Sequence, residues 1–508
     1  MEALRQYYAF SPLPPTDRPK SPIGVTFSDE GHTAASDDTH AEAPFQVEFE
    51  SESDPALPAN WRPAYRHWVA AQAVWAVLAA AVGAAGSVGA ESGEGVPRAL
   101  PTALFLLGLG VGFLPSAPLS QQLGRLVPYL AGLALAAAFH LVCALATARP
   151  LVLGMRFLAG LASALPLATA PMTLADVGTP IQRTLTAPLL AAALVAGLAA
   201  GPLIGDFAGE TSEKDAYVAL AAVAAGAALT TFCCMPETSA PALLRLKAAR
   251  IRLAGDTRWA APGGASPLAL AVGTLRPLRM LAEPVLLIVS LALAVALATL
   301  LTLTEAYALA FAHFPHPALA YLPLMAGAAL PLAAAYPHYR RYRRLAMCAG
   351  DGDVCLPVDE ARIAPEERLY IAMGTGFLLP AGLFWLAWAG AGWPAAVSGL
   401  LTGAGFSGLL QAAVMYLMDS FGHFAASALS AALFVGATTA GLVLLAIPAL
   451  YARVGTPWAT SLFAFLTLAV VPLPFVLHAY GPALRARSLY TAAQGESAAN
   501  RTVVQFAQ

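Results

Sequence analysis

Apolar residues in this chain come in long unbroken blocks, separated by short polar, Pro- or Gly-bearing breaks, rather than in the alternation of half-buried strands or the narrow stripe of surface helices. Crossing a bilayer core takes about 20 mostly apolar residues in a helix, and in lipid every backbone polar group must be satisfied internally. The blocks that qualify are 67–89, 100–120, 127–147, 150–175, 185–207 and 216–235, then 284–312, 319–337, 369–389, 394–418, 424–450 and 457–478. Alanine-rich sequence gives weak edges, and 185–235 can be cut differently. The reading is an all-α integral membrane protein of about twelve spans in two six-helix bundles.

The polar breaks add an orientation. Arg245, Lys247, Arg250, Arg252, Arg258, Arg276 and Arg279 fill the connection between spans six and seven, and Arg340, Arg341, Arg343, Arg344, Arg362 and Arg368 that between eight and nine. Basic loops resist translocation, so both are expected to be cytoplasmic, with both termini on the same side. The opposite loops carry Glu91, Glu94, Glu210, Glu213 and Asp215. The expected organisation is a disordered acidic cytoplasmic tail (1–66), an N-terminal bundle (67–236), a basic cytoplasmic linker (237–283), a C-terminal bundle (284–480) and a cytoplasmic tail (481–508). The segment from Met1 to Pro15 lacks the basic start and apolar run of a cleaved signal, so the first block is read as a retained span.

Composition agrees. The 508 residues are 58% hydrophobic and 11% charged, with mean hydropathy +0.65, against about 25% charged residues in soluble domains. A net charge of −2 leaves no basic surplus for a nucleic-acid backbone. Cys143, Cys233, Cys234, Cys348 and Cys355 form neither a disulfide framework nor zinc spacing and read as free thiols. The chain holds no G-x-x-x-x-G-K-[ST], H-E-x-x-H or G-x-S-x-G, so neither ATP-driven transport, a metal nor enzymatic catalysis is expected. The remaining energy source is an ion gradient, with no cofactor.

Several residues inside the blocks carry chemistry. Glu305, in Leu300-Leu301-Thr302-Leu303-Thr304-Glu305-Ala306-Tyr307, is a lone intramembrane carboxylate, a candidate for carrying a proton or pairing with a cationic substrate. Arg156 lies inside span four and needs partners, unless it snorkels to the outer interface. Gly197, Gly201 and Gly205 recur every fourth residue beside Pro202, which suits either close helix packing or a hinge. Asp176, Asp206 and Asp419 sit near helix ends, where a cap or loop anchor is the simpler role. Gln411 and Tyr416 offer neutral hydrogen bonding in span ten. His140 reads as a buried structural histidine, and Trp385, Trp388 and Trp393 as interface anchors.

These residues, taken in order, resemble a known family. Asp54-Pro55 with Pro58-Ala59-Asn60-Trp61, Ala117-Pro118-Leu119-Ser120-Gln121-Gln122-Leu123-Gly124-Arg125, Arg156-Phe157-Leu158-Ala159-Gly160, Gly201-Pro202-Leu203-Ile204-Gly205 and Pro236-Glu237-Thr238-Ser239-Ala240-Pro241 are similar to motifs of the fungal drug/proton antiporters of the major facilitator superfamily. The likeness continues through Arg276-Pro277, Glu283-Pro284, Glu305-Ala306-Tyr307, Pro365-Glu366-Glu367-Arg368-Leu369, Tyr416-Leu417-Met418-Asp419 and Ala425-Ala426-Ser427-Ala428-Leu429 to Tyr480-Gly481-Pro482. The resemblance implies the polyamine and multidrug branch, with twelve helices and proton-coupled efflux at a cell membrane, the plasma membrane being expected. It makes Gly124, Arg125, Gly201, Pro202, Gly205, Asp176 and Asp419 gating or motif residues.

The departures are informative. Gln121 and Leu126 replace an acid and an arginine of the family pattern, so Gly124 and Arg125 are expected to lack their usual charge partner. Asp206, Met415, Ala432 and Gly436 stand where the pattern has a glycine, an asparagine and a polar pair. Polarity is thus stripped from the C-terminal half. A polyamine needs several carboxylates, so the expected substrate is an amphipathic small molecule such as a drug, a secondary metabolite or a glycolipid. Glu305 is the expected proton carrier and Arg156, Gln411 and Tyr416 its coupling or substrate partners, in a bilayer-embedded chain that can work as a monomer. A polyamine or organic-acid carrier and a transport-dead receptor or scaffold are the alternatives.

Overall fold

The computed structural model describes residues 45–49, 51, 53–85, 99–209, 213–253, 259–260, 267–311, 314, 316–348, 363–390 and 392–490. The tail to residue 44, Glu91, Glu94, Glu210, Arg258, Cys355 and Arg362 lie outside them, as do the side chains of Glu213, Glu305 and Cys348.

Helices make up nearly all of what is described. The first bundle comprises α1 (Pro63–Ala85), α2 (Leu100–Leu123), α3 (Leu126–Leu145), α4 (Arg149–Val177), α5 (Pro180–Gly209) and α6 (Glu213–Cys234). The linker contributes α7 (Ala240–Leu253) and α8 (Pro267–Met280). The second bundle comprises α9 (Pro284–Ala310), α10 (Leu322–Ala329), α11 (Pro331–Cys348), α12 (Tyr370–Thr375), α13 (Leu378–Trp388), α14 (Trp393–Phe421), α15 (Ala425–Val454), α16 (Thr456–Val470) and α17 (Pro472–Arg485). Eleven stretches among the described residues are long and apolar enough to cross a membrane, and the longest, Trp393–Val454, has 62 residues. At 1.5 Å per residue that is roughly three bilayer cores of helix. It is broken at the 3-10 turn Gly422–Phe424, where Gly422 takes φ 46°, a backbone that suits a residue without Cβ. Two helices, and hence twelve spans, result.

Proline sets the helix starts. Pro101, Pro150, Pro284, Pro394 and Pro457 occupy the first turns of α2, α4, α9, α14 and α16, where a missing N–H costs nothing. The same chemistry breaks three spans expected to be continuous. Span eight runs as a 3-10 turn Pro317–Tyr321 followed by α10 and α11, span nine as a 3-10 turn Pro365–Leu369 followed by α12 and α13, and span twelve as α16 and α17, with Pro472 opening the second piece. Spans four and five are longer than expected, and α1 begins at Pro63 rather than 67. Parts of the stretch before it, read as tail, take defined form. Asp54 accepts the Ala56 N–H at 2.8 Å, Pro58–Asn60 make a 3-10 turn against α4, and Phe45–Gln46 pair in parallel with Trp259–Ala260 of the linker.

Small residues bring the helices together. A Cβ on Gly108 of α2 would collide with the Phe157 carbonyl of α4, and one on Gly160 of α4 with the Phe105 carbonyl of α2, so the two backbones touch reciprocally. Gly197 of α5 lies in the same way against Leu78 and Ala81 of α1. Gly201 and Gly205 are buried on the same helix, which runs unbroken through Pro202. Between bundles, α2 packs along α15, and α5 along α10, α11 and α14, while α8 touches both α2 and α15. Trp385, Trp388 and Trp393 expose 45%, 62% and 55% of their surface, as interface anchors should.

Candidate functional site

The seam between the bundles holds a chamber of about 90 Å³, partly open to the exterior. Helices α1, α2, α4 and α5 form one wall and α9, α14 and α15 the other; Phe105, Leu190, Leu297, Gln411, Ala432 and Gly436 are among the residues facing it. Every described lining residue is apolar except Gln411. Gln411 is 1% exposed, and among the described residues neither its amide oxygen nor its amide nitrogen has a hydrogen-bond partner. Ala432 and Gly436, where the sequence pattern loses a polar pair, both lie in this wall.

A second, smaller space shares Pro171, Leu190 and Val414 with the chamber and reaches Arg183 and Asp419. Beyond that narrow space, outside the chamber's own apolar lining, stands an inter-bundle ion cluster. Arg368 places Nε 2.6 Å from Asp419 Oδ2, donates Nη1 to Thr184 Oγ1 at 2.8 Å and Nη2 to the Pro180 carbonyl at 2.7 Å. Its guanidinium stacks 3.8 Å from the Tyr342 ring centroid, and Arg183 adds a contact to Asp419 at 3.6 Å. Thr184 and Pro180 belong to the first bundle and Arg368 to the second, so this cluster joins them on the Arg-rich face. Nearby, Arg485 grips Glu366 through two nitrogens at 2.9 and 2.8 Å. Tyr416, fully buried, lies beside Gly481 next to that pair and not in the chamber.

The first bundle has its own cluster on the same face. Arg125 donates Nε to Asp176 Oδ2 at 2.8 Å and Nη1 to Ser120 Oγ at 2.6 Å. Glu237 accepts the backbone N–H of Arg125 (2.8 Å), Leu126 (3.1 Å), Thr238 (2.9 Å) and Ser239 (2.8 Å). Burial pushes the Glu237 carboxyl above its ordinary range, and those N–H donors oppose the shift. Gly124, at φ 89°, leaves no room for a Cβ, because the Glu237 carboxylate fills that space. The expectation that Arg125 lacks a charge partner is thus corrected. The acid missing at Gln121 is supplied from α4 by Asp176 and from the exit of α6 by Glu237.

Arg156 does not snorkel. It is fully buried, donates Nη1 to the Gly83 carbonyl at 2.8 Å and Nη2 to the Ala84 carbonyl at 3.2 Å, and sits 4.8 Å over the Phe105 ring. Gly83 and Ala84 are in the last turn of α1, whose final carbonyls have no helical donors, so a buried cation caps that helix. Phe105 separates it from the chamber it helps to line. His140 is buried, as expected, and stacks with Phe105, ring centroids 6.2 Å apart. Toward the face opposite the arginines, His316 stands over Phe207 at 4.8 Å and 3.9 Å from Asp206. Asp206, in the last turn of α5 as expected of a residue near a helix end, thus also faces the second bundle. The Glu305 backbone lies in α9, eight residues beyond the chamber's Leu297, about 12 Å of helix rise.

Sequence reasoning brought forward Gln411 and Asp419, which prove to line two neighbouring spaces. It missed Arg368, Arg183 and Thr184 as a bridge, though Arg368 was visible inside Pro365-Glu366-Glu367-Arg368-Leu369. It also missed Glu237 as the acceptor for the Gly124-Arg125 turn.

The family model described as Major Facilitator Superfamily matches residues 67–443. The chain belongs to the major facilitator superfamily. Three similar proteins come from fungi. The transporter oryN of Aspergillus oryzae is 30% identical over 93% of this chain and 96% of its own. The citrinin biosynthesis cluster transporter mrr1 of Monascus ruber is 28% identical over 88% and 92%, and the cercosporin transporter CTB4 of Cercospora nicotianae 30% over 87% and 89%. Among solved structures, the proton:xylose symporter XylE gives a TM-score of 0.56 at 14% identity over 82% of this chain and 97% of that one. The human organic anion transporter MFSD10 gives 0.53 at 16% over 82% and 100%. Both likenesses establish the major facilitator fold, and with the relatives' names a multi-pass membrane transporter.

Proposed function

We propose that this transporter exports an amphipathic small molecule across the plasma membrane in exchange for protons. The observation that carries the reading is the apolar chamber built by both bundles, with an inter-bundle ion cluster beyond its lining, a place where a largely apolar solute can sit while the bundles rock about it. Relatives named for citrinin and cercosporin pathways support a secondary metabolite as cargo. A polyamine fits poorly, because the described lining offers no carboxylate to a polycation. In this reading Glu305 takes a proton on the outer side of the cycle, no resident cofactor is needed, and one chain supplies the whole path.

Purified protein in liposomes with an imposed pH gradient tests it. Internal pH should move when a transported amphipathic compound is added and should stay still with a polyamine. Substrate flux without proton movement would replace antiport by uniport, and binding without flux would mark a receptor.

A further inference from the structure

Resting on the chamber as the substrate site, the geometry points to Gln411 as the residue that selects the substrate: an uncharged, flat, mostly apolar molecule presenting a hydrogen-bond donor and a carbonyl acceptor side by side. A glutamine amide carries one acceptor oxygen and a two-proton donor nitrogen in one plane. Among the described residues both ends lack a partner, and at 1% exposure the amide meets a guest once its side chain rotates into the chamber it lines. A buried amide left unpaired is costly, so the wall favours a guest that engages both ends at once. A lactam, a hydroxyl adjacent to a ketone or a protonated carboxyl does that. A cation does not, since the described lining holds no acid, and an apolar molecule without the pair leaves the amide unpaired.

Gln411 also has the position to select. Leu410 and Val414 of the same helix line the chamber with it, Ala432 and Gly436 stand on the neighbouring helix wall, and Phe105 and Leu297 offer apolar surface for a ring. A Cβ built on Gly436 meets only Leu297 Cδ2 at 3.8 Å, which leaves open space in that wall. Substitutions that fill the chamber need not strain the backbone.

The test uses one ring system with three faces. 2-Quinolone has a lactam N–H beside its carbonyl; N-methyl-2-quinolone keeps the carbonyl and loses the donor; N-methylquinolinium replaces the pair with a fixed positive charge. Equilibrium binding of each to the full-length protein in nanodiscs is measured for wild type, Gln411→Leu and Gly436→Phe, with the unliganded thermal midpoint as a folding control. Wild type is expected to prefer 2-quinolone at least tenfold over the other two. Gln411→Leu should keep or raise its thermal midpoint, lose at least tenfold in 2-quinolone affinity and bind the two quinolones within twofold of each other. Gly436→Phe should remove binding of both.

Retention of the lactam preference in Gln411→Leu, tighter binding of the cation than of the lactam, or no binding of 2-quinolone to folded wild type would overturn the assignment. If the two quinolones bind wild type equally and Gly436→Phe abolishes both, the chamber stands as the site and only the role of Gln411 falls. If Gly436→Phe leaves binding unchanged, the chamber itself is not the site.

Discussion

Arg368 and Asp419 lie 2.6 Å apart beyond the chamber, and the same guanidinium holds Pro180 and Thr184 of the other bundle. One fully buried side chain is thus both the partner of a mostly buried acid and a tie across the seam. Removing one member of such a buried pair typically costs about 3–5 kcal/mol, because the other charge is left uncompensated. Asp419→Leu should therefore lower the thermal midpoint sharply, and Arg368→Met with Asp419→Leu should recover part of the loss. Arg368→Lys should behave nearly as badly as Arg368→Met, since an ammonium cannot reach three acceptors in a planar fork. Unfolding curves of the four variants check this.

Glu237 accepts four backbone N–H groups around the turn at Gly124. Glu237→Gln keeps the shape but turns an N–H₂ toward donors, at a cost of about 1–3 kcal/mol. Faster proteolysis between α2 and α3 together with a lower thermal midpoint is the expected result; an unchanged protein would mean the turn stands without it.

Gly108 and Gly160 meet each other's helix backbone, so neither admits a methyl group. Overpacking typically costs about 1–3 kcal/mol, and Gly160→Ala is expected to reach at least that, read as loss of monodisperse protein in size exclusion. Gly436→Ala, facing open space, should be silent.

Much of this architecture was legible in the chain. The twelve apolar blocks predicted the helices because hydrocarbon admits little else, and prolines at block edges predicted most starts. Spans eight, nine and twelve were read as continuous, since proline inside a membrane helix can bend it or end it, as Pro202 and Pro472 show. The charge clusters were harder. Arg125, Asp176 and Glu237 stand 51 and 61 residues apart in sequence, and Arg368 and Thr184 lie 184 apart, and no local pattern encodes such pairings. Gln411 was singled out as a polar residue in an apolar span, but only the fold shows that it faces a chamber rather than a neighbour.

Arg156 caps the end of α1 through the Gly83 and Ala84 carbonyls. Arg156→Met should lose both bonds, while Arg156→Lys keeps the charge at the helix terminus and one bond. The lysine variant is expected to be intermediate in thermal midpoint. Equal loss in flux by both variants at matched stability would instead assign Arg156 a part in coupling.

Glu305→Gln removes the proposed proton carrier without changing size. Substrate-dependent movement of internal pH should vanish in liposomes, while surface delivery, folding and substrate exchange at equal concentrations on both sides persist. Normal proton movement by this variant would place the carrier elsewhere.

The turn Gly422–Phe424 leaves three residues between α14, which bears Gln411, and α15, which bears Ala432 and Gly436. A leash that short lets little slack accumulate between the two helices, so half of the chamber is a hinged plate whose anchor and open wall shift as one. A guest held by Gln411 would ride with that plate, keeping its contacts there while the opposite bundle slides past, and recognition would then be made once per cycle rather than renewed on each side.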